Sequence, residues 1–138
     1  MYSRIMVPVD LDNVDTLTKA LDLAGRTAKE SGAEVIYVDV VDAVPTTSAT
    51  TEGDRLAKRL NVFVAEQAEL HGIKTVAHVA LRSDLHLNVG ADLVKAAKEA
   101  DCDLIVMASH QPGFRDHILS SNAGYVASHA PITVYVVR

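Results

Sequence analysis

Apolar residues along this chain gather into five short runs, at residues 4–9, 34–41, 75–80, 104–108 and 132–137. Valine and isoleucine dominate them. Near-continuous apolar runs of this length predict strands covered on both faces. Between the runs the period changes to three and four. Leu17, Ala20, Leu21, Ala24 and Ala28 share one helical face, as do Leu56, Leu60, Phe63, Val64 and Ala68, and then Val89, Leu93, Ala96, Ala97 and Ala100. A shorter helix is expected over residues 122–129, stopped by Pro131. Gly32 and Gly72 stand where left-handed C-cap residues belong, and Asp12 and Asn13 offer N-caps for the first helix. Residues 42–53, rich in Thr, Ser and Ala with Pro45, predict a mobile loop before the second helix.

The resulting order, β-α-β-α-β-α-β-α-β, predicts a parallel sheet with right-handed crossovers and helices on both faces. This is a doubly wound α/β fold, expected as one domain over residues 1–138. In such sheets ligands bind where loops leave the carboxyl ends of strands and meet helix N-termini. One segment fits that description closely. The run Leu104-Ile105-Val106-Met107-Ala108 breaks into Ser109 and His110, and Ser120-Ser121-Asn122-Ala123 follows as a helix start. Its residue types suggest a nucleotide or another phosphate.

Composition narrows the function. The net charge of −5 argues against charge-driven nucleic-acid binding, and the absence of Trp removes a stacking platform for single strands. The single cysteine, Cys102, fits a reducing, cytoplasmic setting. No apolar stretch approaches the roughly 20 residues of a membrane helix, and the first residues lack the apolar core of a secretory signal. The six histidines show no metal-ligand spacing, and neither a Walker A motif nor a G-x-S-x-G elbow is present. No dedicated general base stands out, so the chain is expected not to be an enzyme, with any hydrolysis slow and incidental at most.

Four pieces of the sequence, in order and at matching spacing, carry a resemblance. They are Ile5-Met6-Val7-Pro8-Val9-Asp10, Leu104-Ile105-Val106-Met107-Ala108-Ser109-His110, Ser120-Ser121-Asn122-Ala123, and the closing Ser128-His129-Ala130-Pro131 with the strand after it. Over essentially its whole length the chain resembles the universal stress protein family, whose type member is UspA. The resemblance implies a Rossmann-like, five-stranded parallel sheet of order 3-2-1-4-5 with four helices. It also implies a homodimer, and in many members ATP binding. ATP-binding members carry a glycine pattern, G-x-x-G-x(9)-G-S/T, from which this chain departs. Ala108 stands at the first glycine, Gln111-Pro112 at the second, and Ser120 at the glycine of the Gly-Ser pair, while Ser121 is kept.

The resemblance would set Pro8, Val9 and Asp10 against the nucleoside, with the Asp10 carboxylate on ribose or adenine. The alternative for Asp10 is a cap on the first helix or its loop. Val40 would offer backbone groups to the adenine edge, or serve the core alone. Met107 leads into Ala108, Ser109 and His110, where small residues let backbone N–H groups approach a phosphate. Arg115, the only cation of the loop from Ser109 to Leu119, could pair with a triphosphate or stay solvated. Ser120, Ser121 and Asn122 would either present N–H groups and hydroxyls to phosphate or simply cap the helix. Serine at position 120 costs close approach if that position needs positive φ. The expected ligand is therefore a nucleotide bound for regulation in a stress response. ATP is first, with ADP or AMP as alternatives, and magnesium could accompany ATP. The competing reading is a dimeric interaction module that has lost the nucleotide through the altered glycine loop. The last strand, from Ile132 to Val137, is an apolar edge expected to pair with a second copy. An unknown protein partner is also expected.

Overall fold

The valine- and isoleucine-rich runs form one sheet. A computed structural model describes residues 1–42, 47–82, 89–109 and 118–138. The strands are β1 (Arg4–Pro8), β2 (Glu34–Asp42), β3 (Lys74–Arg82), β4 (Leu104–Ala108) and β5 (Thr133–Val137). The helices are α1 (Thr18–Ser31), α2 (Thr47–His71), α3 (Val89–Glu99) and α4 (Ile118–His129). All strand pairs are parallel, in the order β3-β2-β1-β4-β5. The expected sheet order and doubly wound α/β class hold.

The two faces carry separate cores. On one face Ala20, Leu21, Ala24 and Ala28 of α1 and Leu60, Phe63 and Val64 of α2 pack on Ile5, Val7, Val35, Tyr37 and Val106. On the other, Leu93, Val94, Ala96 and Ala97 of α3 and Ala123 and Val126 of α4 pack on Met6, Ile36, Val38, Ile105 and Met107. The side-chain alternation of each strand thus divides it between two helix layers, which is why the runs are apolar throughout.

Helix ends differ from the sequence expectation in three places. Asp10, not Asp12 or Asn13, is the N-cap, and what it caps is a 3-10 segment (Leu11–Leu17) that precedes α1. Its carboxylate accepts from Asp12 N (3.0 Å) and from Asn13 Nδ2 (2.8 Å), so Asn13 is a donor to the cap rather than the cap itself. Residues 47–53, expected as loop, belong to α2, which carries 25 residues. Helix α4 begins at Ile118, ahead of the expected Asn122, which ends the preceding loop before Leu119. The C-caps are as expected, with Gly32 at φ 70° and Gly72 at φ 63°, left-handed conformations that favour glycine.

Candidate functional site at the carboxyl edge of the sheet

A proline inside a central strand needs a reason, because it removes a ladder hydrogen bond. Peptide groups alternate sides along a strand, and Val9 N donates to Val38 O on β2 at 2.8 Å. Pro8 therefore faces β4, where it has no N–H to give. The registered β1–β4 pairs are only Ile5 with Leu104 and Met6 with Ile105, whereas β1 and β2 stay paired through Pro8 and Val38. Pro8 thus marks the point where β1 and β4 part. That point is also where the sheet order reverses direction, the position at which open α/β sheets form their ligand crevice.

The same alternation orients the neighbouring backbone. Val38 receives its bond from β1, so Val40, two residues on, turns its peptide groups the same way, past the end of β1. Ser109 N donates to Val137 O of β5 at 2.7 Å, so Ala108 turns its peptide groups toward β1. Val40 and Ala108 therefore flank the crevice with their peptide groups, the Val40 N–H being shared with the Asp39 carboxylate. Asp10 stands at its rim, half-buried and held in one orientation by its two local bonds. Val9 and Met107 are buried beneath.

The start of α4, which follows β4, lies at the same edge of the sheet. Ser120 lies in its first turn and Ser121 follows; their side chains are outside the described part. Asn122 is only 2% exposed, and its Oδ1 accepts from Gly90 N of α3 at 3.0 Å. Its side-chain carbonyl is thus engaged with a neighbouring helix. His110 and Arg115 fall outside the described residues. The structure therefore places Pro8, Val9, Asp10, Val40, Met107, Ala108, Ser109 and the first turns of α4 at one edge of the sheet.

Two charged residues at this edge escaped the sequence reading. Asp39 interrupts the apolar run of β2, and its carboxyl is pushed up from 3.8 to about 6. Burial is the main cause, followed by the charge of Asp10 and, more weakly, of Asp12; the Val40 N–H and the Arg59 guanidinium oppose the rise. Arg59 of α2 bridges to Asp12 at 3.0 Å. An acidic residue inside an otherwise apolar strand was the available signal for Asp39. Arg59, 47 positions from Asp12, had none. A groove of about 410 Å³ between the 3-10 segment and α2 adjoins this edge, lined by Leu11, Val14, Val62 and Phe63 with Lys58, Arg59 and Glu66. Among the described residues no cluster of His, Cys, Asp and Glu could hold a metal ion, and no helix is long and apolar enough to cross a membrane.

The profile of the universal stress protein family matches residues 1–138. The chain belongs to the universal stress protein family. Universal stress protein G of Salmonella typhimurium (strain LT2) is 30% identical over 147 residues, covering all of both chains. The universal stress protein of Archaeoglobus fulgidus in complex with dAMP superposes with a TM-score of 0.73 at 22% identity, covering 99% of this chain and 98% of that one. Another universal stress protein, solved in complex with cAMP, superposes at 0.74 with 21% identity, covering 99% of this chain and 97% of that one. At these identities the two structures establish the shared Rossmann-like fold of this family member, and each is a protein caught with an adenine nucleotide.

Proposed function

We propose that this universal stress protein binds an adenine nucleotide, ATP first among them, as a regulatory ligand in a stress response rather than as the substrate of an efficient enzyme. The observation that carries the reading is the pair of peptide edges, Val40 and Ala108, turned into the crevice that opens beyond Pro8. Backbone donors and acceptors of this kind match the edge of a purine, and the Asp10 carboxylate beside them suits ribose hydroxyls. The first turn of α4, whose N–H groups have no acceptor within the helix and whose dipole end is positive, suits the phosphates. Ser109 and Ala108, both small, leave room for that approach. Complexes of similar proteins with dAMP and cAMP support an adenine nucleotide as the ligand class. Magnesium would enter with a triphosphate, and no step here depends on it.

The competing reading, an interaction module that has lost its nucleotide, rested on the altered glycine loop, with Ala108 and Ser120 where glycines are expected. Ser120 is helical, a right-handed conformation open to any L residue. The strain that would have made glycine necessary does not arise there, which favours the nucleotide reading. In the same proposal the apolar edge strand β5 pairs with β5 of a second copy, giving a two-fold dimer, and the cytoplasm is the working compartment. Isothermal titration calorimetry with ATP, AMP and GTP tests the ligand. Saturable heat with the adenine nucleotides, and a rise in melting temperature that grows with ligand concentration, is the expected result. Silence in both measurements at millimolar ATP and AMP overturns the proposal.

A further inference from the structure

Asn122 was expected either to meet the phosphates or to cap its own helix; the contact the structure shows is to another helix, α3. It lies in the second turn of α4, buried, with Oδ1 on the Gly90 N–H in the first turn of α3. The first N–H groups of a helix have no partner within it, so this bond satisfies an orphan donor of α3 from a residue 32 positions away. Immediately after it, Ala123 and Val126 are buried in the core that α3 contributes to. The Asn122 Nδ2 is buried, with no hydrogen-bond partner among the described residues. An aliphatic side chain of similar size would fill the space without burying an unpaired amide. The described contact uses the carbonyl oxygen, and that oxygen ties α4 to α3.

We propose that Asn122 is a positioning residue for the phosphate end of the nucleotide site: by accepting from Gly90 it fixes the first turn of α4, and with it the Ser120 and Ser121 amides, without touching the ligand. This rests on the nucleotide reading above. A side chain that acts on the phosphate wall and not on the base edge has a distinctive consequence. Its loss weakens ligands in proportion to their phosphates and spares the bare nucleoside, whereas general loosening of the fold weakens both. A positioning bond also persists when the ligand arrives, so Gly90 should stay protected in the complex.

The experiment is titration of the parent and Asn122→Leu with ATP and with adenosine, together with amide hydrogen exchange of Gly90 in the parent with and without ATP. The expected result is about a tenfold loss of ATP affinity in the variant, the size a single well-placed charge-assisted hydrogen bond supports. Adenosine affinity should stay within about twofold, and Gly90 protection should be unchanged or greater in the ATP complex. Unaltered ATP affinity in the variant, equal losses for ATP and adenosine, or faster Gly90 exchange in the ATP complex each overturns the positioning role. The exchange measurement uses the parent protein and so stands even where the variant does not fold. A parent that binds neither ligand overturns the nucleotide reading itself, a result distinct from all three.

Discussion

Asp39→Asn should make the protein more stable, and only above mildly acidic pH. In the folded state the Asp39 carboxyl titrates near 6 instead of 3.8, because burial and the charge of Asp10 disfavour its ionised form. The folded chain therefore holds a proton that the unfolded chain releases more easily. The stability this contributes is complete below about pH 4 and is lost as the pH rises through about 6. At about 1.4 kcal/mol per tenfold change in proton affinity, a rise of this size corresponds to about 3 kcal/mol at full strength. Asp39 is half-buried, so water screens the effect to about 1–2 kcal/mol. Asparagine removes the charge and keeps an oxygen for the Val40 N–H. For a chain of this length each kcal/mol moves the melting temperature by about 3–5 °C, so Asp39→Asn should melt about 4–8 °C above the parent at pH 8. Near pH 4 the two should melt together. Thermal unfolding followed by circular dichroism across this range checks both limbs. A variant that melts at or below the parent at pH 8, or a gap that does not change with pH, refutes the reasoning.

Three further outcomes follow from contacts elsewhere in the fold. A methyl group at Gly25 of α1 would collide with the imidazole of His71 at the end of α2; Gly25→Ala should therefore cost about 1–3 kcal/mol in urea unfolding, with much of the loss recovered when His71→Ala is added. The Asp103 carboxylate accepts from Ser3 N and Arg4 N at the amino edge of the sheet, at 2.9–3.1 Å; Asp103→Ala should lower stability by about 1–2 kcal/mol while leaving nucleotide affinity, read by calorimetry, within about twofold. Val136 of the edge strand is 40% exposed; Val136→Lys should shift sedimentation from dimer to monomer if β5 pairs with its counterpart, and an unchanged sedimentation coefficient would remove β5 from the interface.

The sheet was legible in the sequence because strands buried on both faces leave uninterrupted apolar runs, and alternation with helices leaves few topologies. The helix starts at the carboxyl edge were read less well, for separate reasons. Residues 47–53 carry Thr, Ser and Gly, poor helix formers, yet they are helical because they extend a long helix already nucleated by the stronger segment after them. Ser120, Ser121 and Asn122 looked like an N-terminus because Ser and Asn cap helices. Asn122 does accept a helix N–H, but from α3, and no single-chain spacing rule says which helix a buried amide will serve. Asp10 was read with two roles and its local one is visible in the structure. Asp39 is a case of a signal present and unused, a carboxylate inside an apolar strand whose charged neighbours in space are the cap Asp10, Asp12 of the 3-10 segment and Arg59 of α2.

The capping role of Asp10 and its proposed role at the nucleoside support one another. A carboxylate has about four acceptor positions, and Asp10 spends one on Asp12 N and one on Asn13 Nδ2. Those bonds fix the plane of the group and leave acceptor capacity for a hydroxyl, so a ligand would not have to order the side chain on arrival. The surrounding charges would then set the direction of the proposed ligand. Asp10, Asp12 and Asp39 make the β1–β2 side of the crevice acidic, with Arg59 offsetting only part of it. An anionic group on that side would be repelled, whereas a sugar hydroxyl is a donor that a carboxylate accepts. The opposite wall presents the positive end of α4. In the proposed complex, repulsion at one wall and attraction at the other place the base and sugar against β1 and β2 and the phosphates against α4. Reversing the ligand would set phosphate beside three carboxylates.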